Sequence, residues 1–124
     1  MLTQTMDNTK MDLLCAGNWM TSPPHTVDTR KTYEEAARLA EKLELSCLAI
    51  IDNKGYPVGI ITVNQLMHAL LHGDQHQKID PDMHVQNHYI IKENTNILDL
   101  LAIPHQRFLV VDASNKLIGI LTRR

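Results

Sequence analysis

The sequence lacks the features that mark secreted, membrane and disulfide-stabilised proteins. Its 124 residues include only two cysteines, Cys15 and Cys47, which are too few for a disulfide framework. No apolar run approaches the roughly 20 residues that span a bilayer. The first twenty residues include Asp7 and Asp12 and contain no secretory hydrophobic region. These absences predict a cytoplasmic protein with reduced thiols and no membrane segment.

An excess of positive charge is also missing, since the formal net charge is −2 at pH 7. Nucleic-acid binding needs a concentrated basic surface, so we expect no direct contact with nucleic acid. The hydrophobic fraction, 44%, is that of an ordinary globular protein and is sufficient for a core.

Catalytic patterns are absent from the sequence as well. The serines at 22, 46 and 114 lie in turn or strand-edge contexts without a nucleophile elbow. Neither cysteine has a recognisably electropositive setting, and no glycine-rich phosphate loop is present. We therefore expect a protein that is not an enzyme.

The sequence does contain an internal repeat. Residues 48–62 (LAIIDNKGYPVGIIT) and 108–122 (FLVVDASNKLIGILT) align without a gap at a constant offset of 60. The aspartate, the second glycine and the final threonine are identical in the two copies. A repeat of this kind indicates one supersecondary unit used twice, with each copy too small to bury a core alone.

Local patterns predict the order β-α-β-β-α in the first copy. An extended stretch at 25–27 precedes a helix over 33–44, which begins at the capping-box spacing Thr32-x-x-Glu35. Strands over 48–51 and 57–62 are joined by an Asp-Asn-x-Gly turn, and a helix over 63–72 ends at Gly73.

The second copy is predicted to be shorter. Its first helix runs from about 96 to 103 because Pro104 ends it, and its last helix is missing. The sequence thus predicts a lead-in at 1–17, a first repeat at 18–73, a linker at 74–82 and a C-terminally truncated second repeat at 83–124.

These motifs resemble those of a known family. They are MTSP at 20–23, EAA at 35–37, the aspartate at 52 and GIIT at 59–62 in the first copy, with Met83, VD at 111–112 and GILT at 119–122 in the second. Together they resemble a tandem pair of cystathionine-β-synthase (CBS) domains, a Bateman module. The resemblance implies an α+β fold in which two β-α-β-β-α repeats pack as a pseudo-twofold pair.

The resemblance also implies a function and partners. Such pairs act as regulatory ligand sensors that bind AMP, ADP, ATP or S-adenosylmethionine between the repeats, require no cofactor and form homodimers. They relay binding to an attached or partner effector, which the sequence does not identify.

In the family, a strand-end motif G-h-x-S/T-x-x-D holds the ribose. The first copy supplies Gly59, Thr62 and, at the aspartate position, Gln65. An amide has one acceptor oxygen where a carboxylate accepts two hydrogen bonds from a ribose diol, so the first cleft departs from the family pattern. The second copy supplies Gly119 and Thr122 and ends before its aspartate position.

Phosphate binding is expected in only one of the two clefts. Arg107 precedes the second hairpin at a position where the family places basic residues, whereas the first copy has none there. The same cleft is expected to include Thr122 and Arg123, together with the first-copy residues Thr21, Ser22, Thr26 and the backbone at Ser46.

Two alternatives remain open. One is a structural dimerisation module with empty clefts, which the missing acidic ribose contact favours. The other is a metal-responsive module that uses the histidines, since His68, His72 and His76 follow one another at intervals of four residues. No carboxylate or thiol stands at ligand spacing beside them.

Overall fold

Each copy of the repeat folds into a three-stranded sheet in the computed structural model, which describes residues 12–84, 89–104 and 107–122. The first repeat contains β1 (Thr26–Asp28), α1 (Tyr33–Leu43), β2 (Cys47–Ile51), β3 (Pro57–Thr62) and α2 (Val63–Leu71). The second contains β4 (Tyr89–Lys92), a 3₁₀ helix (Ile97–Ala102), β5 (Arg107–Val111) and β6 (Leu117–Thr122). Short 3₁₀ turns lie at Asp12–Leu14, Ala16–Asn18 and Pro81–Met83. The expected α+β class with two equivalent units is confirmed.

The two sheets share one topology and one irregularity. Their strand orders are β1-β2-β3 and β4-β5-β6, with the first pair parallel and the hairpin antiparallel in each. The hairpin register shifts between Ile50 and Ile51 in one sheet and between Val110 and Val111 in the other. The equivalent bulges bend both hairpins at the same point.

The hairpin turns explain why an aspartate is repeated. Oδ1 of Asp52 accepts hydrogen bonds from the backbone N–H groups two and four residues later, at 2.9 and 3.0 Å. Asp112 does the same at 2.8 and 3.1 Å. Each turn also needs one residue with positive φ, which is Gly55 (88°) in the first copy and Asn115 (66°) in the second.

The helices agree with the sequence in the first repeat and differ in the second. The capping box between Thr32 and Glu35 is present at the start of α1. The helix expected at 96–103 is instead a 3₁₀ helix of six residues, Ile97–Ala102, which begins where the Asn96 side chain accepts from Leu98 N–H at 2.8 Å. A segment this short, followed by Pro104, favours 3₁₀ hydrogen bonding. Among the described residues, no helix has the length and apolar character required to span a bilayer.

The linker is attached to the first repeat over most of its length. The carbonyls of Gln77 and Gln75 accept from the first two N–H groups of α1, each at 3.0 Å. Such N–H groups have no partner inside a helix, so the linker supplies it. Ile79, which is buried in the first core, donates to the carbonyl of Lys31 at 2.9 Å.

The end of the lead-in packs on the opposite repeat. Ala16 is fully buried in the core of the second repeat, and its N–H donates to the carbonyl of Thr95 at 2.8 Å. The end of the lead-in is therefore packed against the second repeat. The domain boundaries drawn from the sequence stay a prediction.

A shared core joins the repeats. Ala49, Ile60 and Leu109 are completely buried and form one cluster, with Ile120 packed against it. Ala49 matches Leu109 in the repeat and Ile60 matches Ile120, so equivalent surfaces meet as in a two-fold interface. Each repeat also covers a glycine of the other, because Met20 lies over Gly119 and His84 lies over Gly59.

We expect Gly119→Ala to destabilise the protein. A methyl group there would meet Met20, whose Cγ and Cβ are 2.7 and 3.0 Å from its position. We expect the free energy of unfolding in urea to fall by about 1–3 kcal/mol. Gly59→Ala serves as the matched control, because its nearest contact is 3.3 Å and its cost should be smaller.

A double-mutant cycle with Met20→Ala tests the cause of this loss. The two substitutions should be non-additive, because removal of the methionine side chain makes room for the new methyl group. Simple additivity would contradict the packing explanation.

Candidate functional site

The sequence-predicted site residues form two groups, one at the end of each hairpin. Ser46, Gly59, Thr62 and Gln65 lie at the end of β3 and the start of α2. The second group lies along β6, where the start of the first repeat meets the second sheet, and comprises Thr21, Ser22, Arg107, Gly119 and Thr122. Arg123 lies outside the described residues.

In the first group, the polar side chains cap a helix. The Thr62 hydroxyl accepts from Gln65 N–H at 3.2 Å, and Gln65 Oε1 accepts from Thr62 N–H at 2.9 Å. This capping box satisfies N–H groups at the start of α2. The Gln65 side-chain oxygen is therefore already engaged, whereas a ribose would need it as an acceptor.

An open cavity of about 670 Å³ lies beside this first group. Both repeats contribute to its walls, with Asn64, Gln65 and His68 from α2, and Met83 and His84 from the beginning of the second repeat. Ligand-sized pockets fall in this range of volume.

His84 is the buried polar residue of this cavity, with 6% of its surface exposed. Its Nε2 lies 3.4 Å from the Tyr33 hydroxyl, and the two rings meet edge to face at 6.1 Å. Its Nδ1 is buried and has no hydrogen-bond partner among the residues that the structure describes. Burial lowers the pKa of the His84 imidazole, and the weaker opposing effect of Asp80 does not reverse the shift.

Sequence reasoning did not single out His84 as a site residue. The available signal was its alignment with Thr21, which follows because Met20 matches Met83 at an offset of 63; Thr21 bonds to β6 in the other half of the molecule.

In the second group, the start of the first repeat is bound to β6. Thr21 and Ile120 exchange two backbone hydrogen bonds, at 2.8 and 3.1 Å. The Ser22 hydroxyl donates to the carbonyl of Ile118 at 2.9 Å. The structure thus places Thr21 and Ser22 against β6 of the second repeat, and their role in ligand binding stays a prediction.

Arg107 is the basic residue of this second group. It is the first residue of β5 and is paired in register with Thr122, the exposed last residue of β6. Its Nε is buried and has no partner within the described parts of the chain. A buried donor without a partner is unfavourable, so an anion bound at this strand end would stabilise it.

The remaining predicted site residues lie apart from both strand ends or are buried by the opposite repeat. Thr26 pairs with Ala49 and lines a separate cavity of about 300 Å³, which is formed by first-repeat residues alone. The structure does not place it beside Thr122. Ser46, which was expected in the same cleft as Thr122, lies instead at the start of α2, where its carbonyl accepts from Val63 N–H at 3.0 Å. Gly59 and Gly119 are buried under the opposite repeat, so their side of each sheet is filled by protein.

The histidines provide no metal centre in the described parts of the chain. The rings of His68 and His72 are 4.5 Å apart, and Nδ1 of His72 is 2.8 Å from the carbonyl oxygen of His68. His76 Nδ1 is 3.7 Å from a carboxylate oxygen of Glu34. No group of three or more histidines, cysteines or acidic residues there is arranged to hold a metal ion.

Comparison with known proteins identifies the family of the first repeat. The family model of the CBS domain matches residues 16–72, the whole first repeat. The described fold adds a second unit with the same topology. The first repeat is therefore a CBS domain, and the chain has the fold of a tandem CBS pair. No curated protein matches its sequence.

Solved structures resemble this CBS pair over most of their length. The CBS-pair protein CBSX2 from Arabidopsis thaliana is 28% identical, with coverage of 88% of each chain and a TM-score of 0.72. CBSX2 has also been solved in complex with AMP, with 28% identity, coverage of 88% of this chain and 90% of that chain, and a TM-score of 0.70. A CBS domain-containing protein of unknown function from Bacillus anthracis is 17% identical, with coverage of 93% and 91% and a TM-score of 0.77, and shows the fold alone.

We expect Thr62→Val to weaken the start of α2. The substitution removes the hydroxyl that accepts from Gln65 N–H, so the free energy of unfolding should fall by about 1 kcal/mol in urea. Thr122→Val is the matched control, because Thr122 caps no helix among the described residues. Equal losses in the two variants would contradict the capping role.

Proposed function

We propose that the CBS pair is a regulatory module that binds an adenosine-containing nucleotide in the cleft at the end of β6. The observation that carries the proposal is Arg107, whose buried Nε has no partner within the described chain at a strand end that faces Thr122. A guanidinium in this position suits phosphate, which it binds through several N–H donors. Arg123, next in sequence to Thr122, is proposed as a further contact.

The position of the cleft supports a sensing role. The start of the first repeat lies along β6, where Thr21 bonds to Ile120, two residues before Thr122, and Ser22 bonds to Ile118, while Arg107 belongs to the second repeat. A ligand that contacts both repeats binds most tightly to one arrangement of them and thereby favours that arrangement. An attached or partner effector that senses the arrangement would receive the signal.

The choice of ligand follows from the charge at the cleft. AMP, ADP and ATP carry phosphate and match Arg107 best, and AMP is bound by CBSX2, which is 28% identical to this chain. S-adenosylmethionine presents a carboxylate to the same arginine and is the weaker candidate. The first cleft, in which Thr62 and Gln65 cap α2, is proposed to bind nucleotide less well.

An exposed apolar face of α2 favours the second candidate function, a dimerisation module with empty clefts. Leu71 is 82% exposed and Met67 is 54% exposed on this face. Exposed apolar clusters of this kind are typical of interaction surfaces. We propose a cytoplasmic homodimer in either case, and a failure to bind nucleotide would leave dimerisation as the function.

Arg107→Gln should weaken AMP binding by about 10- to 100-fold in isothermal titration calorimetry. The loss corresponds to one or two charged hydrogen bonds. Binding of adenosine, which lacks the phosphate, should remain unchanged. Arg30→Gln is the matched control, because Arg30 is exposed and, within the described residues, pairs with Asp28 in its own turn.

Two results would contradict the proposal. An equal loss for adenosine and AMP would show that Arg107 supports the fold rather than the phosphate. The absence of heat or thermal stabilisation with AMP, ATP and S-adenosylmethionine at millimolar concentration would favour the module with empty clefts.

A further inference from the structure

His84 lies at the point where the second repeat first contacts the first. Its Cβ and carbonyl oxygen are each 3.3 Å from the position of a Cβ on Gly59 of β3, so backbone and side chain press against the first sheet. The ring reaches Tyr33 at the start of α1. This single residue therefore bridges two elements of the first repeat.

The environment of the ring accommodates a neutral imidazole. The backbone N–H of Asp80 is 3.4 Å from the Tyr33 hydroxyl oxygen and is placed to donate to it. The hydroxyl proton is then free to be donated to His84 Nε2, 3.4 Å away, which favours a neutral ring with its proton on Nδ1. Protonation turns Nε2 from an acceptor into a donor, so the tyrosine can no longer donate to it, and a reversed bond would have to share the hydroxyl oxygen with the N–H of Asp80.

The charged and titratable groups around the ring do not form an ion pair with it. Tyr33 faces it from α1, and His68 and His72 line the cavity from α2; β3 presents Gly59, which has no side chain. The linker contributes Asp74, Lys78 and Asp80. No salt bridge to His84 is formed in the described chain, and Nδ1 has no partner there. A charge on the buried ring would therefore be poorly compensated.

The turn that carries His84 is closed by hydrogen bonds of its own. Met83 and His84 donate their N–H groups to the carbonyls of Asp80 and Pro81 at 3.1 and 3.0 Å, within the turn itself. Just before the turn, Ile79 is anchored in the first core. In the described part of this turn, attachment to the first repeat depends on the packing against Gly59 and the contacts with Tyr33.

We infer that the His84 ring is a pH-sensitive contact between the repeats, and that its protonation releases the turn at 80–84 from the first repeat. Release of this turn weakens the attachment of the repeats to each other. The direction of the pH dependence follows from linkage. The lowered pKa of buried His84 means that the unfolded chain takes up the proton first as the pH falls below 6.5. The stability contributed by the neutral ring is complete above that pH and is lost below it.

Acidic groups act in a lower pH range. A hydrogen bond from Arg30 lowers the pKa of Asp28 below 3.8, and the backbone N–H of Thr32 lowers the pKa of Glu35 below 4.5. Their stabilising contributions are lost only as the pH falls below those values. A measurement between about pH 7.5 and about pH 5.5 therefore reports on titration of the histidines rather than of these carboxyl groups.

The test is urea unfolding of the full chain across this range. As the pH falls below 6.5, the equilibrium constant for unfolding of the wild type, divided by that of His84→Gln, should rise by up to about tenfold per pH unit. The glutamine variant cannot take up the proton. His76→Gln is the matched control, because the His76 side chain is 84% exposed in the same linker. The control should retain the wild-type pH dependence, and the same slope in His84→Gln and wild type would overturn the inference.

A second measurement on the wild type covers the case in which His84→Gln does not fold. An NMR titration of the His84 ring should give a midpoint below pH 6.5. Hydrogen exchange of the backbone amides at 82–84 should accelerate with the same midpoint, after correction for the intrinsic pH dependence of exchange. A midpoint at or above 6.5, or exchange that does not change locally, would overturn the inference. These readouts need no nucleotide, so they are independent of the proposed ligand.

Discussion

The structure depends on burial of the second face of each small sheet. In the first repeat, one face is covered by α1 and α2, which contribute Tyr33, Ala36 and Leu66 to the core. The opposite face carries Ala49 and Ile60, which are completely buried only because Leu109 and Ile120 of the other sheet pack on them. Neither repeat can satisfy this requirement alone, so the contact between the repeats is part of folding itself. Any ligand or proton that changes this contact acts on the whole molecule.

Much of the repeated motif serves this architecture. Asp52 and Asp112 close equivalent turns, and Gly59 and Gly119 leave space for the opposite repeat. The differences between the copies are where function is to be sought. Arg107 stands where the first copy has Cys47, and His84 stands where it has Thr21. The first difference places a cation at the start of β5, and the second places a titratable ring where the second repeat contacts the first.

The strands and first-repeat helices could be predicted because their signals are local. The capping box at Thr32, the turn residues and the alternation of apolar runs depend only on near neighbours. The same local signal was present at Thr62 and Gln65, where the family resemblance drew attention to ribose binding instead. The six-residue 3₁₀ helix of the second repeat was expected as an α-helix, because short segments owe their hydrogen-bond pattern to packing more than to composition.

The sequence by itself determined that one supersecondary unit is used twice, which strands it contains and which family it resembles, because periodicity and turn chemistry are properties of the chain. Only the tertiary structure decided that the linker completes the start of α1, that Ala16 belongs to the opposite core and that His84 is buried against Tyr33. Burial and hydrogen-bond partnership are relations between residues distant in sequence. The chain specifies them only through the packing of its two halves.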